Sequence, residues 1–376
     1  MSIAQEAAHT RAMRTALIMA GGTGGHVMPA LAVAESLRDE GWRVVWLGTR
    51  EGMEARLVRE HGFEMARLDF AGVRGKGAFS LVTLPLRILV AFWQAMRVIG
   101  KVRPNVVAGL GGYVAFPGGM MASLLGKPLA IHEQNAVAGM TNRVLACLAD
   151  RVLIGLPGAF TQGLDRPIPC RKVKAEWVGN PVRPNIAALP DPAERYAGRV
   201  GPLRLLVIGG SLGAKVLNEV VPRALAQMRP EARPEVKHQA GASKIDALKA
   251  NYANAKIAAE CLAFIDDMAA AYAWADVVIC RAGASTVAEL AAAGVPAALV
   301  PYPYAVDDHQ TLNAHFLADS GAAWLLPQTR LNAEELAAWL GSLTRTDLLE
   351  RARKARALGK PEATQRMAAV VKEIAK

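Results

Sequence analysis

The chain has 376 residues, a formal net charge of +11 and 52% hydrophobic residues. The length suits two domains of ordinary size, and the apolar content excludes global disorder. The positive charge points to a polyanionic partner, whether nucleic acid, an acidic membrane surface or a phosphate-bearing substrate, without choosing among them.

Arg11 and Arg14 precede only Ala16 to Ala20 before glycines begin, too short an apolar region for a signal peptide. The most apolar long stretch, Leu81 to Ile99, is interrupted by Pro85, Arg87, Gln94 and Arg97, so no spanning helix is expected and the protein reads as soluble or peripheral. Cys147, Cys170, Cys261 and Cys280 form no CxxC pair, which predicts reduced cytoplasmic thiols, not a disulfide framework or a zinc site.

In chain order, Thr15 to Ala20 is a predicted strand that runs into Gly21-Gly22-Thr23-Gly24-Gly25-His26, with a helix from about Pro29 to Glu40 and a second strand from Trp42 to Leu47. A dinucleotide fingerprint started at Gly22 puts Val27 at its third glycine, and no acid follows the second strand in the ribose-binding place. No Lys-Ser/Thr follows as in a Walker loop. His26 reads either as a helix cap or as a general base at the end of a donor-rich loop.

The stretch from Gly72 to Gly100 is different. Arg74 and Lys76 lie in a basic loop, and Phe79 to Trp93, including Leu86, is apolar nearly all round. It reads as a buried helix or, with Arg87, Arg97, Lys101 and Arg103, as a membrane-surface patch. No nucleic-acid fold signature accompanies it. A strand from Val106 to Ala108 leads to a second glycine loop containing Gly111, Gly112 and Tyr113. The strand from Leu129 to Ile131 ends in His132-Glu133-Gln134-Asn135, a hydrogen-bonding rim with too few ligands for a metal. Val178 to Pro184 is a linker stiffened by two prolines.

Then the pattern restarts. Leu203 to Ile208 is a strand, and Gly209 to Lys215 is a third glycine loop that fails as a P-loop at Ala214 and Val216. A helix from Val216 to Met228 follows, with weaker strands at Val236 to Gln239 and Ile257 to Glu260. Asp276 to Cys280 is a buried strand, Arg281 to Thr286 a turn, and Thr286 to Ala293 a helix capped by Ser285 or Thr286 and ended by Gly294 and Pro296. Its N-terminus suits an anionic phosphate, and Glu289, one turn on, is placed to reach a ribose hydroxyl pair. Asp307-Asp308-His309-Gln310 is a polar cluster beyond the next strand, Ala297 to Val300. The fold class is α/β. Two Rossmann-like doubly wound parallel-sheet domains face each other across a cleft, at 1–182 and 183–358, and a C-terminal helix in 359–376 packs back on the first domain.

GGTGGH, GGYVAFPGG, HEQNAVAG, VGNPVR, GGSLGA, FIDDMAAAYAWADVVICRAGASTVAE and DDHQTLNA resemble, in order and spacing, the motifs of GT-B glycosyltransferases of family 28. The resemblance covers nearly all residues from Thr15 to Gly321. It implies an inverting transfer of N-acetylglucosamine from UDP-N-acetylglucosamine to the C4 hydroxyl of the N-acetylmuramoyl sugar in undecaprenyl-linked lipid I. The products would be UDP and β-1,4-linked lipid II for peptidoglycan, made at the cytoplasmic face of the cell membrane. The alternative is another GT-B transferase with a different lipid acceptor.

By the same resemblance, Thr23, Gly24, Gly25, Asn135, Arg183, Ser211, Ile265, Ala284, Ser285, Thr286, Val287, Ala288, Glu289, His309 and Gln310 fall on the donor side. Some family members carry two glutamines where this chain has His309-Gln310. Gly111, Gly112, Tyr113 and Glu133 fall on the acceptor side, His26 is the catalytic candidate, and Arg74, Lys76, Phe79, Leu86 and Trp93 make the membrane patch. The implied partners are the two substrates, the anionic leaflet and other cell-wall or division proteins, with no nucleic acid. No DxD occurs, and no metal or cofactor is expected for bond formation.

Overall fold

Alternate residues of the first strand, β1 (Thr15–Met19), bury against opposite layers: Ala16 and Ile18 join one apolar cluster, Leu17 and Met19 another. That double burial is why parallel strands read as unbroken apolar runs. The computed structural model describes residues 13–50, 52–69, 83–161, 173–210 and 213–376. They fall into two units, Met1–Pro181 with Glu362–Lys376 (unit 1) and Val182–Pro361 (unit 2).

In unit 1, β1 is followed by α1 (Gly24–Asp39), β2 (Arg43–Thr49), α2 (Met53–Glu60), β3 (Glu64–Leu68), α3 (Leu84–Val102), β4 (Val106–Gly109), α4 (Ala115–Leu124), β5 (Leu129–Glu133), α5 (Met140–Leu145), β6 (Arg151–Ile154) and β7 (Ala175–Trp177). The seven strands run in the order β3-β2-β1-β4-β5-β6-β7, all in parallel register.

Unit 2 comprises α6 (Pro184–Ala187), α7 (Pro192–Tyr196), β8 (Arg204–Ile208), α8 (Lys215–Gln227), β9 (Glu235–Gln239), α9 (Ile245–Ala255), β10 (Glu260–Leu262), α10 (Met268–Trp274), β11 (Val277–Cys280), α11 (Ala284–Ala293), β12 (Ala297–Leu299), α12 (His309–Ala318), β13 (Ala323–Leu325), α13 (Ala333–Ser342) and α14 (Arg345–Leu358). Its six strands are ordered β10-β9-β8-β11-β12-β13, again all parallel. The last helix, α15 (Ala363–Ile374), belongs to unit 1 and buries Met367, Val370 and Val371 in the cluster that α1 lines. Lys372 pairs with Glu40 beside it.

Several expected boundaries move. Helix α1 begins at Gly24, not near Pro29, so His26 lies in its first turn and Pro29 inside it. Strand β5 extends to Glu133, which puts His132 and Glu133 in the sheet. Strand β10 starts at Glu260 because Lys256, in the left-handed conformation, ends α9 and leaves 257–259 as connection. Helix α11 starts at Ala284 with Gly283 as its cap, so neither Ser285 nor Thr286 caps it. Cys147 is disulfide-bonded while Cys261 and Cys280 are free. This corrects the expectation of reduced thiols at Cys147: a disulfide needs proximity in space, which sequence spacing does not report. Cys170 lies outside the described residues.

Asp276 precedes β11 and is fully buried. Arg199 pairs with one of its oxygens, and Arg345 Nη2 and the Arg204 N–H donate to the other from 3.2 and 3.0 Å. Asp276→Ala would leave the buried Arg199 guanidinium without its counter-charge. Denaturant unfolding of unit 2 should then show a loss of about 3–5 kcal/mol; a loss below 1 kcal/mol would show that the pair does not hold the unit.

Candidate active site

Open parallel sheets bind ligands beyond the strand ends where the strand order reverses. In unit 1 that point lies between β1 and β4. The loops leaving these strands touch through glycine: a Cβ on Gly112, at φ +82°, would sit 2.2 Å from the Gly21 carbonyl oxygen. Glu54, fully buried on α2, accepts from the Gly22 N–H at 3.3 Å and from Thr49 Oγ1 at 2.6 Å, fixing the loop from below. Thr23, Gly24 and Gly25 open α1, where the first N–H groups lack intrahelical acceptors. The Tyr113 ring lies beside Gly22.

His26 is partly exposed, and its Nδ1 lies 2.8 Å from Gln134 Oε1. Gln134 Nε2 lies 3.0 Å from both the Leu110 carbonyl and His132 Nδ1, and His132 Nε2 lies 2.9 Å from the Gly179 carbonyl. Burial holds the His132 imidazole down at about 4 and neutral. Glu133 turns away: its carboxylate accepts from the Asn135 N–H and Nδ2 at 3.0 and 3.2 Å, the Gly139 N–H at 3.1 Å and Asn142 Nδ2 at 2.8 Å. The structure thus brings His26, Gly111, Gly112 and Tyr113 together, while Glu133 and Asn135 form an adjoining turn.

In unit 2 the reversal lies between β8 and β11. Gly213, at φ +66°, packs so closely on the Ala240 carbonyl that a Cβ would come within 1.6 Å of it. Ser211, in that loop, lies outside the described residues. Gln239 Nε2 ties the Gly210 carbonyl to that of Ala263, each at 3.1 Å, next to the Phe264-Ile265 segment. Beyond β11, Ala284, Ser285, Thr286, Val287 and Ala288 form the opening turns of α11. The Ser285 hydroxyl is buried without a hydrogen-bond partner among the described residues.

Glu289, one turn further, accepts from Arg183 Nε and Nη2 at 3.2 and 2.9 Å and from the Tyr272 hydroxyl at 3.2 Å. Burial raises its carboxyl above the ordinary value, and Arg183 opposes the rise. Gln310 Oε1 accepts from the Tyr302 N–H at 2.9 Å, and His309 Nδ1 donates to the Val306 carbonyl at 2.7 Å. Asp307 and Asp308, just before α12, hold φ of +51° and +46°, a strained pair of the kind that concentrates at functional sites.

Sequence reasoning missed Glu54, Gln239 and Tyr272, and it passed over Gln134 and His132 as rim residues. Their partners come from distant parts of the chain, so no local motif marks them. Arg74, Lys76 and Phe79 lie outside the described residues. Leu86 and Trp93 lie on α3 and are exposed, at 66% and 51%.

The glycosyltransferase family 28 N-terminal domain model matches residues 16–154 and the family's C-terminal domain model matches residues 204–371. The chain is 58% identical to a UDP-N-acetylglucosamine–N-acetylmuramyl-(pentapeptide) pyrophosphoryl-undecaprenol N-acetylglucosamine transferase of Dechloromonas aromatica, over 96% of this chain and 99% of that one. It is 59% identical to the protein of the same name from Thiobacillus denitrificans, over 97% and 99%. The crystal structure of Acinetobacter baumannii MurG superposes with a TM-score of 0.82 at 42% identity, covering 96% of this chain and 99% of that one.

The buried His132 makes stability depend on pH. Its imidazole titrates at about 4 in the fold and near ~6.5 in the unfolded chain. Between those values the unfolded state takes up a proton that the native state refuses. The contribution is therefore complete above the unfolded value and is lost as pH falls through that window, with a slope approaching ~1.4 kcal/mol per pH unit. His238 in unit 2, held at about 3 by burial, acts in the same direction. Denaturant midpoints measured against pH should flatten in His132→Gln relative to wild type; identical slopes would show that His132 is not the proton-excluding group.

Proposed function

The chain belongs to glycosyltransferase family 28, and from that premise we propose that unit 2 holds the sugar nucleotide and unit 1 the lipid acceptor and the base. The protein is a hexosyltransferase that moves N-acetylglucosamine from UDP-N-acetylglucosamine to the C4 hydroxyl of the muramoyl sugar in lipid I. It inverts the anomeric centre and yields lipid II and UDP. The observation that carries the donor assignment is the start of α11, where an unpartnered Ser285 hydroxyl and free N–H groups stand one turn from Glu289.

The diphosphate sits against the α11 N–H groups and Ser285, whose dipoles also meet the charge that develops as UDP leaves. The ribose hydroxyls donate to Glu289, which the Arg183 fork holds in place. Ile265 and Gln310 belong to the donor side, as the family resemblance implies. His26 Nε2 takes the proton of the C4 hydroxyl as that oxygen bonds to the anomeric carbon and the bond to the diphosphate breaks. Glu133 is not the base, because its carboxylate is occupied by four N–H donors. No cofactor enters the bond-forming step: preorganised dipoles supply the stabilisation that a metal gives in other transferases.

Radiolabelled UDP-N-acetylglucosamine should label a lipid I analogue and leave diacylglycerol unlabelled; labelled diacylglycerol would favour a different lipid acceptor. His26→Ala should lower kcat by ~10²- to 10⁴-fold with donor KM little changed. Turnover within a few-fold of wild type would remove His26 from the chemistry.

Helix α3 supports membrane docking at the cytoplasmic face. Its buried side is lined by the small residues Ala91 and Ala95 with Ile99. Leu86, Leu89, Trp93 and Met96 recur at helical spacing on the exposed side, so the helix is buried on one side only. Arg97 stacks over Trp93 at 4.6 Å, and Lys101 lies exposed one turn on. Among the described residues no helix is long and apolar enough to cross a membrane. An apolar face flanked by cations binds reversibly to an anionic surface. In vesicle sedimentation, binding should rise with anionic lipid and fall with salt; indifference to both would rule out docking of this kind.

A further inference from the structure

Gln134 carries a constraint that follows from its neighbours alone. It is 1% exposed, at the end of β5. Its amide nitrogen lies 3.0 Å from the Leu110 carbonyl oxygen and 3.3 Å from that of His132. Carbonyls only accept, so the nitrogen must face them and the orientation of the amide is settled. Its oxygen then faces His26 Nδ1 at 2.8 Å, and an amide oxygen has no proton to give. His26 Nδ1 must therefore donate. The neutral ring is left with its lone pair on Nε2, which makes no hydrogen bond among the described residues.

The other end of the chain of bonds is equally fixed. His132 Nε2 faces the Gly179 carbonyl at 2.9 Å and so carries the proton, which leaves its Nδ1 to accept from Gln134 at 3.0 Å. Donors and acceptors thus alternate without conflict from Gly179 through His132 and Gln134 to His26. Flipping the His26 tautomer would set two lone pairs 2.8 Å apart. The ring sits where a side chain at position 111 would stand: a Cβ on Gly111 would lie 2.6 Å from Nδ1.

We propose that Gln134 is a positioning residue that locks His26 in its Nδ1–H tautomer and aims a free Nε2 lone pair at the acceptor hydroxyl, with His132 and the Gly179 carbonyl holding Gln134 in turn. This rests on the reading of His26 as the base. The partner is an amide and not a carboxylate, so it orients the imidazole without adding charge beside it. Of the other titratable groups in this region, Glu54 binds Gly22 and Thr49, Glu133 binds its own turn, His132 is neutral, and the Tyr113 ring lies beside Gly22.

The direct test is long-range ¹H–¹⁵N NMR of the full-length protein, with His26 assigned by its loss in His26→Ala. Wild type should show neutral His26 as the Nδ1–H form; an Nε2–H form overturns the proposal whatever the variants do. Gln134→Leu should lose that preference and drop kcat by about 10- to 100-fold with donor KM unchanged, the pattern of a lost transition-state interaction. Gln134→Glu, buried against the Leu110 carbonyl, takes the protonated form, whose O–H replaces the amide N–H while its other oxygen still accepts from His26 Nδ1–H. It should retain the tautomer and most of the turnover. If Gln134→Leu loses melting temperature and turnover together while His26 keeps its tautomer, Gln134 is a packing residue and the proposal fails. If the wild-type tautomer is as stated but His26→Ala retains turnover, the base assignment is what fails.

Discussion

The contact on which the first half-site depends is backbone on backbone. Gly112, at positive φ, lies against the Gly21 carbonyl with no room for a side chain. This lets the loops leaving β1 and β4 close on each other at the point where the strand order reverses. The neighbouring Gly111 lies against the His26 imidazole for the same reason. Unit 2 repeats the device with different residues: Gly213 lies on the Ala240 carbonyl, and Gly209 lies on the Ala214 nitrogen. In both units the polypeptide brings helix N-termini and strand ends together by omitting side chains.

Two carboxylates of unit 2 differ in how fully the fold uses their bonding capacity. The Asp276 side chain is 0% exposed and receives Arg199, Arg345 and a backbone N–H, with the Tyr196 hydroxyl on its own carbonyl. Its bonding capacity faces inward. Glu289 is 15% exposed at the side chain and has one guanidinium and one hydroxyl as partners. A carboxylate has about four acceptor positions, so Glu289 keeps acceptor capacity beyond these partners. Burial raises its carboxyl while Arg183 pulls it back, and the guanidinium thereby helps to keep the ionised, accepting form.

Strands and glycine turns were legible in the sequence because a strand buried on both faces is a bare apolar run, and because a glycine turn has no side chains to disguise it. Helix starts were less legible. Pro29 reads as a first-turn proline, yet α1 absorbs it at its sixth position and starts at Gly24. Ser285 reads as a cap, yet Gly283 takes that place, and the Ser285 hydroxyl has no hydrogen-bond partner among the described residues. The Gln134–His26 bond joins residues 108 apart in sequence, and Glu54 reaches Gly22 across 32. Such pairings are set by sheet order, which no local window contains. The family motifs pointed to the neighbourhood of these residues but not to the hydrogen bonds that orient them.

The positive charge that opens the sequence divides between two uses. Many arginines of unit 2 are internal staples. Arg195 donates to the carbonyls of Ala293 and Gly294 at the end of α11, Arg281 to those of Val300 and Pro301, Arg345 to those of Gly201 and Pro202, and Arg351 to that of Gly321. A guanidinium against carbonyls at a helix or strand end meets the negative end of aligned peptide dipoles, so these cations stabilise the fold and are not offered to a polyanion. The cations on α3 are placed differently. Arg97 lies over an exposed indole, and Lys101 stands in solvent one turn further on. Net charge alone could not separate these uses, since both raise it equally. What separates them is whether a carbonyl of the same unit takes the charge, as in those arginines of unit 2, or an exposed apolar face stands beside it, as on α3.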